Sequence, residues 1–83
     1  MKKRDENFHK KTGNRIKNLR RWRNYSRELV AEKAEISAKF LYEIETGKKG
    51  CSYYVLYKLA EILEVPVEWF WKDAEERRGS DDQ

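Results

Sequence analysis

The chain has 83 residues with a net charge of +4, and 39% of them are apolar, which suits one domain with a modest helical core. No segment approaches the roughly 18 consecutive apolar residues of a membrane span, and no apolar stretch follows the basic N-terminus as in a signal peptide, so we expect a cytoplasmic protein. The single cysteine, Cys51, excludes an internal disulfide, and with one histidine, His9, it cannot complete a zinc site.

The N-terminal segment, residues 1–11, lacks helical periodicity and is predicted to be a mobile basic arm. Residues 1–27 carry eleven Lys or Arg and two acidic residues, whereas residues 28–83 carry eight and thirteen. A charge run alone is usually a solvated surface, but beside a nucleic-acid-binding motif it favours a nucleic-acid partner. The arm either follows a groove or the phosphates, or is disordered without a function.

The first helix is predicted from residue 12 or 13 to residue 23. Ile16, Leu19 and either Trp22 or Arg23 recur at steps of three and form its inner side.

Two short helices joined by a tight turn are predicted over residues 26–47. Ser26 and Ser37 are expected N-caps, because a serine hydroxyl can accept a bond from an orphan backbone N–H of the next turn. Gly47 marks the end of the second helix, since glycine adopts the left-handed conformation without a Cβ penalty. So short a joint forces a steep angle between the helices and leaves one face of the second helix uncovered.

A fourth helix is predicted from about Tyr53 to Leu63 with Ser52 as its cap. After Pro66, which suits the first turn of a helix, a fifth is predicted from residue 67 to residue 75 or 78.

Three consecutive aromatic residues, 69–71, lie in the predicted fifth helix. Each helical step turns about 100°, so one face cannot bury all three. Trp69 and Trp71, together with Ile62 of the fourth helix, are therefore candidates for a dimer interface. The charged tail, residues 76–83, is expected to fray.

The ordered spacing of these residues resembles the DNA-binding domain of the phage repressor and Cro proteins, the Cro/C1-type (XRE) helix-turn-helix family. The matching positions are Ile16, Leu19, Arg20, Ser26, Val30, Ala31, Ile36, Ser37, Leu41, Ile44, Glu45, Gly47, Ser52, Leu56, Leu59, Ala60, Leu63, Val65 and Phe70. The resemblance implies an all-α, five-helix, lambda-repressor-like domain over residues 12–75, with the helix-turn-helix at helices 2 and 3. It also implies a partly buried ion pair between Arg20 and Glu45.

The resemblance places Ala38, Lys39 and Glu43 at base edges, and Tyr42 is a further base-contacting candidate. Their chemistry suits this role, because lysine can donate to guanine, glutamate can accept from cytosine N4, and the alanine methyl can touch a thymine methyl. The alternative is that Lys39 and Glu43, four residues apart, form only a surface ion pair.

Phosphate contacts are expected around the same helix, from hydroxyls and from positive charges flanked by glycine amides. The candidates are Arg27, Ser37, Thr46, Lys48, Lys49 and Tyr53. Arg27 stands where most of the resembling family has glutamine, and Glu35 stands in the turn where it often has glycine. Since a positive φ is uncommon for a non-glycine residue, we expect a slightly longer or differently shaped turn at Glu35.

These observations favour a transcriptional regulator, most often a repressor in this class, which binds double-stranded DNA as a homodimer on an inverted repeat. Two alternatives stay open: an antitoxin or other protein-binding module that uses the aromatic surface of helices 4 and 5, and a restriction-modification controller protein. A toxin or RNA polymerase would then be a protein partner. Enzyme activity, a cofactor, a metal and a small-molecule ligand are not expected, because no phosphate-binding glycine motif or ligand cluster occurs.

Overall fold

The computed structural model describes the backbone of residues 3–72 and the side chains of residues 7–72. This part of the chain is all-helical, as predicted, and is built from α1 (Lys3–Trp22), α2 (Arg27–Ala34), α3 (Ala38–Glu45), α4 (Tyr53–Leu63) and a 3₁₀ turn (Val67–Phe70). No helix in it is both long and apolar enough to cross a membrane.

The first helix begins at Lys3, nine residues before the earlier of the two predicted starts, so residues 3–11 are helical and not an irregular arm. Two residues of this added part, His9 and Lys10, lie against the loop that follows α3. A Cβ placed on Gly50 would lie 2.5 Å from His9 Cε1, and one placed on Gly47 would lie 2.6 Å from Lys10 Cγ. The helix is therefore held at this end by contacts with glycines, which apolar periodicity does not register.

Serine side chains cap three helices, and these predictions are confirmed. The hydroxyl oxygens of Ser26, Ser37 and Ser52 accept from the backbone N–H three residues later, at 3.0, 2.9 and 3.2 Å respectively. Each bond satisfies one of the N–H groups that the first turn leaves without a helical partner.

Left-handed residues that are not glycine terminate three helices: Asn24 after α1, Glu35 after α2 and Glu64 after α4. After α2, the Glu35 N–H donates to Glu32 O at 3.1 Å and the Ile36 N–H to Ala31 O at 3.0 Å, the pairing of a Schellman motif. The expectation of a longer or differently shaped turn is therefore wrong. Glu35 itself takes the left-handed conformation, with φ 62° and ψ 39°.

The core lies where α1, α2, α3, α4 and the 3₁₀ turn meet, and its buried apolar residues are Ile16, Val30, Ala31, Ala34, Leu41, Ile44, Leu56, Leu59, Ala60, Leu63 and Phe70. At the end of α1, Trp22 is 74% exposed, whereas Arg23 donates to the backbone oxygen of Leu63. The inner position left open between Trp22 and Arg23 is thus occupied by Arg23.

The predicted fifth helix is a single 3₁₀ turn, Val67–Phe70, within the described chain. Phe70 alone is completely buried, Trp69 is 40% exposed, and Trp71 packs partly buried against the core. The short turn thus places Phe70 inside the core and Trp71 against it. Residues 73–78 of the predicted helix and the tail 76–83 lie outside the described residues.

Candidate nucleic-acid interface

Helix α3 buries one side and exposes the other. Leu41, Ile44 and Glu45 are at most 3% exposed, whereas Lys39 and Tyr42 on other sides of the helix are exposed. A helix with one side fixed in a core and an opposite polar side is suited to enter a groove.

A buried carboxylate holds the last turn of α3. Glu45 Oε2 accepts from Arg20 Nε at 2.6 Å, and Oε1 accepts from Arg20 Nη2 and from Arg27 Nε, each at 3.1 Å. Arg20 also donates to the backbone oxygen of Tyr25 at 2.9 Å. Since the Glu45 side chain is 0% exposed, this network ties α1 and the start of α2 to α3 away from water.

Arg27, which the sequence predicts only as a phosphate contact, also donates to Glu45. Besides that bond, the Arg27 guanidinium carbon lies 5.3 Å from the centre of the Tyr42 ring. Lys48, another phosphate candidate, places its Nζ 5.6 Å from the same ring. One sequence pattern could have indicated this cluster. The aromatic Tyr42 lies three positions before the buried Glu45, with Arg27 at the start of α2 and Lys48 just after α3.

Glu43, the acidic candidate for base contact, is paired with Lys49 and not with Lys39. Glu43 Oε1 lies 3.5 Å from Lys49 Nζ, with the Glu43 side chain 18% exposed, so the alternative pair of Lys39 with Glu43 does not form. Lys39 is exposed and has no hydrogen bond or ion pair to another residue in the described part of the chain.

The other candidates differ in what they can still donate. Thr46 gives its only O–H hydrogen to the backbone oxygen of Tyr42, at 2.9 Å, so a phosphate would have to displace that bond. Ser37 uses its oxygen as a cap acceptor and keeps its hydrogen for another partner. Ala38 is partly buried and packs against the core.

The remaining aromatic candidates lie at α4 and the 3₁₀ turn. Tyr53 is 62% exposed, and its ring centre is 6.5 Å from that of Trp71. Of the three dimer candidates, Trp69 is exposed, whereas Trp71 and Ile62 pack partly buried against the core.

Cys51 is half-buried and lines a small hollow together with His9, Lys49 and Gly50. Burial raises the pKa of its thiol from 9.0 to about 11, because an apolar environment disfavours the thiolate. In the described residues, no three His, Cys, Asp or Glu side chains are grouped so as to hold a metal.

Two short helices joined by a tight left-handed turn, with the second exposing a polar side, define a helix-turn-helix protein, a class that binds DNA. A family model described as a helix-turn-helix domain matches residues 13–76, which is most of the chain, and the protein belongs to that family. Comparison with curated proteins gives no match.

Proposed function

We propose that the protein is a sequence-specific transcriptional regulator of the Cro/C1 type, acting as a repressor, and that α3 reads the major groove. The observation that carries this proposal is the division of α3 into a side fixed in the core and an exposed polar side. Glu45 and its two arginines hold the last turn, while Lys39 near the first turn is exposed and without a partner among the residues described.

Lys39 is the principal base reader in this proposal, because its ammonium can donate to guanine N7 and O6. Ala38 contributes at most a methyl contact, since it is already partly covered by the core. Glu43 keeps acceptor capacity for cytosine N4, but its side chain is only 18% exposed and its charge is shared with Lys49, so its contribution to base reading is the smaller one.

Phosphate contacts set the position of the domain on the duplex. Arg27, Lys48 and Lys49 bring positive charge from the start of α2 and from the loop after α3, and Ser37 adds a hydroxyl at the start of α3. Lys10 of α1 lies against Gly47 of that same loop and adds a positive charge there. These contacts are sequence-independent and release counterions, so binding weakens steeply as salt rises.

A domain of this size buries too little DNA for high selectivity alone, so we propose a two-fold dimer on an inverted repeat. Half-site centres would lie about 10 bp apart or at a multiple of that spacing. Trp69 is the best-placed interface residue of the three candidates, because it is the most exposed of them.

A second candidate function is protein binding, as an antitoxin, a restriction-modification controller or a polymerase-contacting regulator. The observation that favours it is the row of exposed tyrosines on α4: Tyr53, Tyr54 and Tyr57 are 62%, 66% and 47% exposed. Tyrosine is enriched in the core of protein interfaces. Co-purification of a stoichiometric protein partner that is lost on Tyr54→Ala would favour this function.

The main experiment is binding-site selection from random duplex DNA with wild-type protein, followed by titrations at several salt concentrations. Lys39→Ala is expected to cost about 1–3 kcal/mol of discrimination at one base pair. Lys33→Ala, which removes an exposed lysine from the last turn of α2, is the matched control and should leave the preference unchanged. Equal weakening of specific and non-specific binding by Lys39→Ala would contradict base reading by Lys39.

A further inference from the structure

Two cations from different elements converge on the ring of Tyr42. Arg27 is the first residue of α2, and Lys48 lies in the loop after α3. The Tyr42 ring of α3 therefore contacts one cation from the helix before α3 and one from the loop after it. The distances to its centre are 5.3 Å from Arg27 Cζ and 5.6 Å from Lys48 Nζ, within the range of about 6 Å in which a cation is attracted to an aromatic face. Tyr42 itself is 43% exposed, so this arrangement lies at the surface.

The cluster keeps an excess of positive charge. Arg20 and Arg27 share the single carboxylate of Glu45, whereas Lys48 joins the cluster only through the Tyr42 ring. Glu45 binds only the Nε of Arg27, and the Arg27 Nη groups make no hydrogen bond within the described chain. Lys48 likewise has no ion pair there, so both cations retain donors for an anion.

We infer that Tyr42 is a positioning residue, whose ring holds Arg27 and Lys48 in place for DNA phosphates, and not the base reader that the sequence suggests. This inference rests on the proposed function. Long cationic side chains otherwise lose considerable rotamer freedom on binding, and a ring that restrains them in the free protein reduces that loss. The contacts are with phosphates, so the effect of Tyr42 is independent of DNA sequence.

The test compares wild type, Tyr42→Phe and Tyr42→Leu on a selected site and on an unrelated duplex. Tyr42→Phe keeps the ring and should bind both duplexes as wild type does. Tyr42→Leu should weaken binding to both by about tenfold, since each of the two exposed cation–π contacts is worth a factor of about three. Far-UV circular dichroism and thermal unfolding establish that both variants are folded.

A double-mutant cycle separates positioning from a general loss of structure. If Tyr42 acts through the cation, Arg27→Ala should have a smaller effect in the Tyr42→Leu background than in wild type, whereas additive effects would refute the inference. A changed base preference with unchanged non-specific affinity would make Tyr42 a base reader. Equal losses in the Phe and Leu variants would assign the effect to the hydroxyl.

The inference is also tested without DNA, which distinguishes its failure from that of the proposed function. In the free wild-type protein, side-chain methylene protons of Arg27 and Lys48 should show ring-current shifts in nuclear magnetic resonance spectra that vanish in Tyr42→Leu. Absence of these shifts in wild type overturns the positioning role. Their presence together with no salt-dependent DNA binding overturns the proposed function and, with it, the phosphate role of the cluster.

Discussion

Replacing Glu35 by glycine should relieve backbone strain, because Glu35 is a non-glycine residue held in the left-handed region at φ 62° and ψ 39°. For an L-residue this conformation costs about 1–2 kcal/mol, from the approach of Cβ to the following carbonyl oxygen. Glycine has no such penalty, but it loses more conformational freedom on folding, which lowers the stability by about 0.5–1 kcal/mol. The net gain expected from the backbone is therefore about 0.5–1 kcal/mol.

The Glu35 side chain has one further contact that the substitution removes. Its Oε1 lies 3.2 Å from Lys58 Nζ, with the Glu35 side chain 80% exposed. Such surface pairs contribute about 0–1 kcal/mol, enough to mask the gain. Glu35→Ala is the matched control, because it removes the same ion pair and keeps the Cβ.

Thermal and urea unfolding of both variants, followed by circular dichroism, measures the difference. The glycine variant should be more stable than the alanine variant by about 1 kcal/mol, equivalent to a Tm about 4–8 °C higher for a domain of this size. Equal stabilities would refute the strain at Glu35. Wild type more stable than both would show only that the pair with Lys58 outweighs the backbone term.

Two further predictions concern buried groups. Glu45→Gln removes the charge that faces buried Arg20 and should lower the free energy of unfolding in urea by about 3 kcal/mol. Glu28→Gln, on the exposed side of α2, is the control and should change it little. Similar effects of the two variants would contradict a stabilising network. Burial raises the pKa of the Cys51 thiol from 9.0 to about 11. The stability that the protonated, buried thiol contributes is therefore intact below pH 9.0 and is lost as pH rises towards 11. Cys51→Ala should abolish this loss. At about pH 8 the native thiol should also react with a disulfide reagent roughly tenfold more slowly than in urea, because its lower thiolate fraction is partly offset by greater nucleophilicity, and equal rates would contradict the raised pKa.

The local features of the fold could be predicted from the sequence because their causes are local. A serine at the start of an apolar periodic segment caps a helix whatever surrounds it, and Ser26, Ser37 and Ser52 all do so. The inward face of α3 followed in the same way from the spacing of Leu41 and Ile44.

Features that depend on tertiary contact could not be predicted in this way. The start of α1 depends on His9 and Lys10 lying against Gly50 and Gly47, and glycine contributes nothing to a hydrophobic pattern. The form of the fifth element depends on how Phe70 and Trp71 pack against the other helices, which three consecutive aromatic residues do not reveal.

In the candidate site too, the residue types could be predicted from the sequence, but the partners of these residues could not. Charge and position along α3 were enough to select Glu43 and Lys39, but the partner of Glu43 is Lys49, from the loop beyond the helix. Arg27 was selected for its charge, whereas its geometry is set by Glu45 and Tyr42, fifteen or more residues away in the chain. Spacing within one helix cannot register pairs that form only when separate elements pack.

The residues that hold α3 in the domain differ from those that α3 exposes, and this has a consequence for specificity. At its last turn, the backbone of α1 approaches so closely that a Cβ on Gly13 would lie 2.0 Å from the carbonyl oxygen of Ile44, and Glu45 is clamped by two arginines. At its first turn, Ser37 and Lys39 are exposed. Under the proposed function, substitution of Lys39 alters the DNA sequence preferred at almost no cost to folding, while substitution of Ile44 or Glu45 destabilises the domain without offering a new base contact. The angle at which α3 is presented is thus fixed by residues that need not touch DNA, and the bases selected depend on residues that contribute little to the fold.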